Sequence, residues 1–192
     1  ECLMQQRTLA FIGAGNMSRS IIAGLIQAGY PAGRIIAANP SRPKLDELAD
    51  QFGIRITQNN AEAAREADVI VLAVKPQLMA AMLEALVAEL GSLAGKLLIS
   101  IAAGIKVERL QEMAGGHSRI IRTMPNTPSL LGLGMTGLYA PTGINQADRD
   151  FAEQMMQAVG KTLWVAQESG INGVIAAAGS APAYFFLFMQ GI

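Results

Sequence analysis

Short, unbroken apolar runs recur along this chain, separated by stretches in which apolar residues return every three or four positions. The runs include residues 8–12 (TLAFI), 34–39 (RIIAAN), 69–74 (VIVLAV) and 96–101 (KLLISI). A strand that is apolar at nearly every position must be buried on both faces, and a sheet covered on both faces by helices is parallel. The intervening spacing agrees. Ile21, Ile22, Leu25 and Ile26 share one side of a helix over residues 18–28, which Gly29 ends, so that residues 8–39 form a βαβ unit stopped by Pro40.

The alternation continues with helices expected at 44–52, 61–65, 77–90, 106–113 and 146–159, and strands at 54–57, 119–123, 135–139 and 162–165. The expected fold is α/β: a Rossmann-like, doubly wound, mostly parallel sheet over residues 4–167, with Met4 read as the natural start. From Glu168 the alternation gives way to an Ala-rich and then aromatic-rich stretch. Residues 168–192 are read as the beginning of an all-helical C-terminal domain. Because the last residues, AYFFLFMQGI, carry no helix stop, the chain reads as a piece of a longer one.

Composition removes several classes of function. Fifteen Lys and Arg balance fifteen Asp and Glu among 192 residues, so there is no broad positive field to attract nucleic acid. Only 16% of residues are charged and 51% are hydrophobic, against roughly a quarter charged in an average soluble domain. That excess of apolar surface fits a sheet buried on both faces and a self-associating protein, a homodimer or larger homo-oligomer. Cys2 is the single cysteine and cannot form an internal disulfide, so a reducing, cytoplasmic setting is expected. Residues 169–192 carry no charge and are long enough to cross a bilayer, but Gly170, Asn172, Gly173, Gly179, Ser180 and Pro182 interrupt them. No basic cluster flanks them either, so buried helices are expected and not a membrane span.

The turn after the first strand reads GAGNMS, residues 13–18. Gly13 allows a tight turn, Gly15 lets backbone approach a pyrophosphate, and Ser18 stands where close helix packing needs a small side chain. Glycines mark many turns, but here they sit at the first strand-to-helix junction of a βαβ unit, where a dinucleotide binds. A carboxylate at the end of the second strand would hold an NAD ribose and repel a 2′-phosphate. This chain has Asn39, then Ser41 and Arg42, a donor set suited to phosphate; NADPH is expected, with NADH possible but weaker. The plainer reading makes Asn39 and Ser41 turn residues and Arg42 a solvated charge.

Ligands of an open α/β sheet lie beyond the carboxyl ends of its strands, so Ala73–Val74–Lys75–Pro76, Ala102–Ala103–Gly104 and residues 124–128 (MPNTP) converge on one edge. Lys75 is either an exposed strand-end cation or a contact for the nicotinamide ribose. Asn126 and Thr127 either cap their turn or meet a ligand. His117, in GGHSR, is given a loop role because no Ser, Cys or carboxylate is placed to form a triad with it, and no metal is expected.

Taken in order, FIGAGNM, ANPSR, LAVKPQ, ISIAAGI, RTMPNTP and GSAPAYFF resemble the Δ1-pyrroline-5-carboxylate reductases over nearly the whole chain. The resemblance implies that Ile12, Gly13, Ala14, Gly15, Asn16 and Met17 bind the pyrophosphate. It places Asn39, Ser41 and Arg42 around the adenosine phosphate and Asn60 at a ribose. Ala73, Val74, Lys75 and Pro76, with Ala102, Ala103 and Gly104, would line the nicotinamide side. It also implies hydride transfer from NADPH to the C=N carbon of a cyclic imino acid, giving L-proline. A cyclic imine can take its proton from water, so no catalytic side chain is assigned. Ile175 and Ala178 depart from the family pattern, and the glycine-rich motif that holds the substrate carboxylate in relatives is absent from this sequence. Two other readings stay open. One is an NADP-dependent hydroxyacid dehydrogenase, disfavoured because residues 167–192 contain no Lys; the other is a dinucleotide-binding module without turnover.

Overall fold

The computed structural model describes residues 7–126 and 134–174. Within them, eight strands form a single sheet: β1 (Leu9–Ile12), β2 (Ile35–Ala38), β3 (Arg55–Thr57), β4 (Val69–Leu72), β5 (Leu97–Ser100), β6 (Ile120–Pro125), β7 (Met135–Tyr139) and β8 (Lys161–Trp164). Their order is β3-β2-β1-β4-β5-β6-β7-β8. All neighbours are parallel except β6 and β7, which run antiparallel with Thr123 opposite Leu138. The chain thus starts in the middle, winds outward to β3, returns past β1 to β4 and winds the other way.

Side-chain alternation decides which helix covers which face. In β1, Leu9 and Phe11 join the layer beneath α1 (Asn16–Gln27), α2 (Arg42–Phe52) and α6 (Gln146–Met156), whereas Ala10 and Ile12 join the opposite layer. That second layer is closed by α3 (Asn60–Glu66), α4 (Pro76–Leu90) and α5 (Val107–Met113). β1, β2, β4 and β5 are buried at every position, as two covered faces require.

Element boundaries moved where local chemistry allowed. α2 begins at Arg42, two residues earlier than its apolar pattern suggests, because Pro43 falls in the first turn, where a missing N–H costs nothing. α6 ends at Met156, and the expected last turn tightens into a 3₁₀ turn, Gln157–Val159.

One knot of charge ties the two windings at the amino ends of the parallel strands. Asp148, wholly buried in α6, accepts hydrogen bonds from Arg7 Nη1 at 2.9 Å and from Arg119 Nε and Nη2 at 2.6 and 2.8 Å. Arg7 precedes β1 and its guanidinium lies 4.9 Å from the Phe151 ring centroid; Arg119 precedes β6. Burial alone would raise the Asp148 carboxyl, but the bonds from Arg119 and Arg7 outweigh it and hold the pKa below the ordinary carboxylate value.

Candidate dinucleotide site

The glycine loop lies at the opposite edge of the sheet, between β1 and α1, where the winding direction reverses. Its geometry is set by backbone contacts with the neighbouring strand ends. Gly13 N donates to Ala38 O at 2.9 Å at the end of β2, and Ala73 N donates to Ile12 O at 2.9 Å just beyond β4. Gly13 takes φ +110°, and a Cβ there would stand 2.5 Å from Ala73 O. The fold itself therefore requires glycine at this position.

Gly15 differs. It is the N-cap of α1 with φ −80°, and a Cβ on it would meet no atom within 4 Å. No side chain caps this helix and its first turn holds no acidic residue, so the amides of Asn16 and Met17 have no side-chain acceptor in the loop. Open space above an uncapped helix start suits an anion, which the helix dipole also favours. Ser18 is buried, and its Oγ donates to Gly13 O at 2.7 Å, bracing the loop from below.

At the end of β2, Asn39 serves as a link. Its Oδ1 accepts from Ala14 N at 3.2 Å while its Nδ2 donates to the carbonyl and hydroxyl oxygens of Ser41, both at 3.1 Å. The turn after β2 is thereby fixed to the glycine loop without a carboxylate. Arg42 is exposed and donates from Nη2 to Asp46 Oδ1 at 2.7 Å, one turn along α2. An exposed i,i+4 pair of this kind is worth about 0.3–0.5 kcal/mol, so the guanidinium is readily redirected to a stronger anion. These groups fit a phosphorylated dinucleotide: three neighbouring donors and no negative charge at the strand end.

Asn60 opens α3 directly after its cap, Asn59, whose Oδ1 accepts from Glu62 N at 3.1 Å. Beside it is a cavity of about 310 Å³, bounded by Pro40 and Asn60 on one side and by Met82, Leu86 and Glu89 of α4 on the other. The sequence reading missed this α4 wall. α4 is apolar nearly all round, so its periodicity does not single out a second working face.

The remaining predicted positions gather at the same edge. Lys75 is the exposed N-cap of α4 and Pro76 its first residue; Ala73 and Val74 are half-buried. Ile101 N donates to Leu72 O at 3.1 Å, which sets the Ala102–Ala103–Gly104 loop beside the end of β4. Within that loop Ala102 is buried, while Ala103 and Gly104 are exposed. Asn126 Oδ1 accepts from Met135 N at 2.8 Å, closing the base of the β6–β7 connection. Thr127, Pro128, Ile175, Ala178 and Ser180 lie outside the described residues. His117 sits at the far edge, its Nε2 2.8 Å from Lys96 O. Lys96 there gives its ammonium to Ala67 O and Arg65 O, and burial lowers its pKa. Among the described residues no three His, Cys, Asp or Glu side chains cluster to hold a metal, and no helix is long and apolar enough to cross a membrane.

Comparison with known proteins gives a consistent result. Residues 8–104 match the family described as NADP oxidoreductase, coenzyme F420-dependent. The pyrroline-5-carboxylate reductase of Vibrio alginolyticus is 55% identical over 189 residues, covering 98% of this chain and 69% of the relative. A solved pyrroline-5-carboxylate reductase from Coxiella burnetii superposes with a TM-score of 0.85 at 41% identity, over 96% of this chain and 68% of the other. The Plasmodium falciparum pyrroline carboxylate reductase, solved with NADP bound, gives a TM-score of 0.77 at 28% identity, over 98% and 68%.

Proposed function

Because this chain belongs to the pyrroline-5-carboxylate reductase family, we propose that its glycine loop, the turn after β2 and the β4 and β5 strand ends form the NADPH site for reduction of a cyclic imine. The protein is an oxidoreductase that reduces the C=N bond of Δ1-pyrroline-5-carboxylate to L-proline with NADPH. When bound, that coenzyme supplies the hydride.

The single observation that carries the site assignment is the pairing of Gly13 with Gly15: one glycine demanded by the fold, the next with open space above it among the described residues. Ile12 to Met17 hold the pyrophosphate on the α1 amides. Asn39 shapes the turn, and Ser41 Oγ with the Arg42 guanidinium receives the 2′-phosphate. Asn60 meets the adenosine ribose, and the Met82–Leu86 wall offers an apolar seat for the adenine ring. Ala73, Val74, Lys75 and Pro76, with Ala102, Ala103 and Gly104, line the nicotinamide side. The buried Ala102 flank limits water near the reacting carbon. The chain's part in the chemistry is to align two ligands, the imine taking its proton from water.

Residues 4–167 would form the coenzyme domain and residues 168–192 the beginning of a helical domain. A homodimer or larger ring matches the low charge content, and the single cysteine, Cys2, fits a reducing cytoplasm.

Arg42→Ala tests the phosphate contact. NADPH affinity should fall about tenfold or more, roughly 1.4 kcal/mol, with NADH affinity changed less than twofold. Fluorescence titration of both coenzymes measures the ratio; equal losses would remove Arg42 from the phosphate site.

A further inference from the structure

We propose that Glu168 is a positioning residue for imine reduction, a latch that fixes the coenzyme-side loop 101–106 to the segment leaving the sheet; the reaction named rests on the reading above. Glu168 Oε2 accepts from Val107 N, the first residue of α5, at 2.8 Å and from Arg122 Nη1 at 3.1 Å. The residue before α5, Lys106, offers no side-chain acceptor, so a carboxylate from 61 positions away satisfies this amide. Arg122 is 4% exposed on β6, and its Nε has no hydrogen-bond partner among the described residues. Among the described residues, Glu168 is the one carboxylate paired with its charge.

The other end of the loop is also held from β6. Ala102 N donates to Ser100 Oγ at 3.2 Å, and Thr123 Oγ1 donates to Ser100 O at 2.9 Å. One turn beyond Glu168, the chain docks on the same sheet face. Ile171 and Val174 are buried, and a Cβ on Gly137 of β7 would stand 3.0 Å from Ile171 Cγ1 and 3.3 Å from Val174 Cβ. Glu168, Ile171 and Val174 recur at three-residue intervals, so a carboxylate and two apolar side chains seat one short stretch. Strand pairing needs none of these contacts. Replacing such a buried ion pair with apolar residues is commonly neutral or stabilising, so stability does not explain its presence. What the carboxylate adds is a fixed relation between loop 101–106 and the segment 168–174.

The test uses the full chain in its native assembly, with two variants that disturb the latch differently. Glu168→Gln keeps an acceptor but removes the charge facing Arg122; Gly137→Ala pushes Ile171 outward and leaves every charge in place. In both, hydrogen exchange at amides 102–107 should rise at least tenfold. kcat/KM for the imine should fall at least tenfold, while the NADPH Kd stays within threefold. Unchanged exchange in both variants would overturn the latch, as would a loss of NADPH affinity in step with kcat/KM. A wild-type chain that binds NADPH without oxidising it in the presence of the imine would instead overturn the functional reading, and the exchange measurement would still decide the latch.

Discussion

Asp148→Ala should cost about 3–5 kcal/mol of folding stability, because it leaves two arginines facing a buried space without their counter-charge. For a chain of this size that is a fall in Tm of about 6–20 °C. The same carboxylate makes a pH prediction. Its pKa is depressed in the folded protein, so its stabilisation is fully present above the unfolded value of about 3.9 and is lost as pH falls through the folded value. Denaturant unfolding between pH 6 and pH 3 should show a steep decline below about pH 4 in the wild type and a shallower one in Asp148→Asn. Parallel curves for the two proteins would mean that Asp148 does not carry the acid sensitivity. Coenzyme affinity of the folded fraction should be unchanged, since the knot lies at the edge of the sheet away from the glycine loop.

Substituting the two glycines should separate fold from ligand. Gly13→Ala puts a Cβ at φ +110° against Ala73 O at 2.5 Å and Ala73 C at 2.7 Å, backbone atoms that cannot rotate away. A loss of about 3 kcal/mol or more in stability is expected, from backbone strain and overpacking together. Gly15→Val adds a side chain at an ordinary φ in open space, so stability should fall by no more than about 1 kcal/mol, the cost of replacing glycine at an N-cap. Its NADPH affinity should nonetheless drop at least a hundredfold, about 2.7 kcal/mol, because the isopropyl group occupies the space above the α1 amides. Thermal unfolding and calorimetric titration on both variants provide the comparison. A Gly15→Val protein with normal coenzyme affinity would show that the pyrophosphate sits elsewhere.

The order of elements was legible in the sequence for a physical reason: β1, β2, β4 and β5 are covered on both faces, so their residues are apolar without interruption. The glycine loop was legible because its two glycines and one serine each answer a different local demand, and the strand ends followed from the topology of any sheet wound this way. Long-range polar contacts were not legible. Arg7 and Asp148 are 141 positions apart, and nothing in either neighbourhood distinguishes them from solvated surface charges. Glu168 looked like an ordinary residue at the end of the alternation, yet it reaches Val107 and Arg122. The same limit applied to Asn39. Its residue type was visible as a missing carboxylate, but its bond to Ala14 N depends on how close β1 and β2 lie.

That bond has a consequence for how such a scaffold diversifies. Changing Asn39 to Asp exchanges one amide nitrogen for oxygen; the acceptor for Ala14 N survives, the donation to Ser41 disappears, and a negative charge arrives where the 2′-phosphate would rest. Selectivity between the two nicotinamide currencies of the cell then turns on a replacement that keeps the bond to the glycine loop. Descendants of this chain can cross from one to the other without first unlearning how to fold.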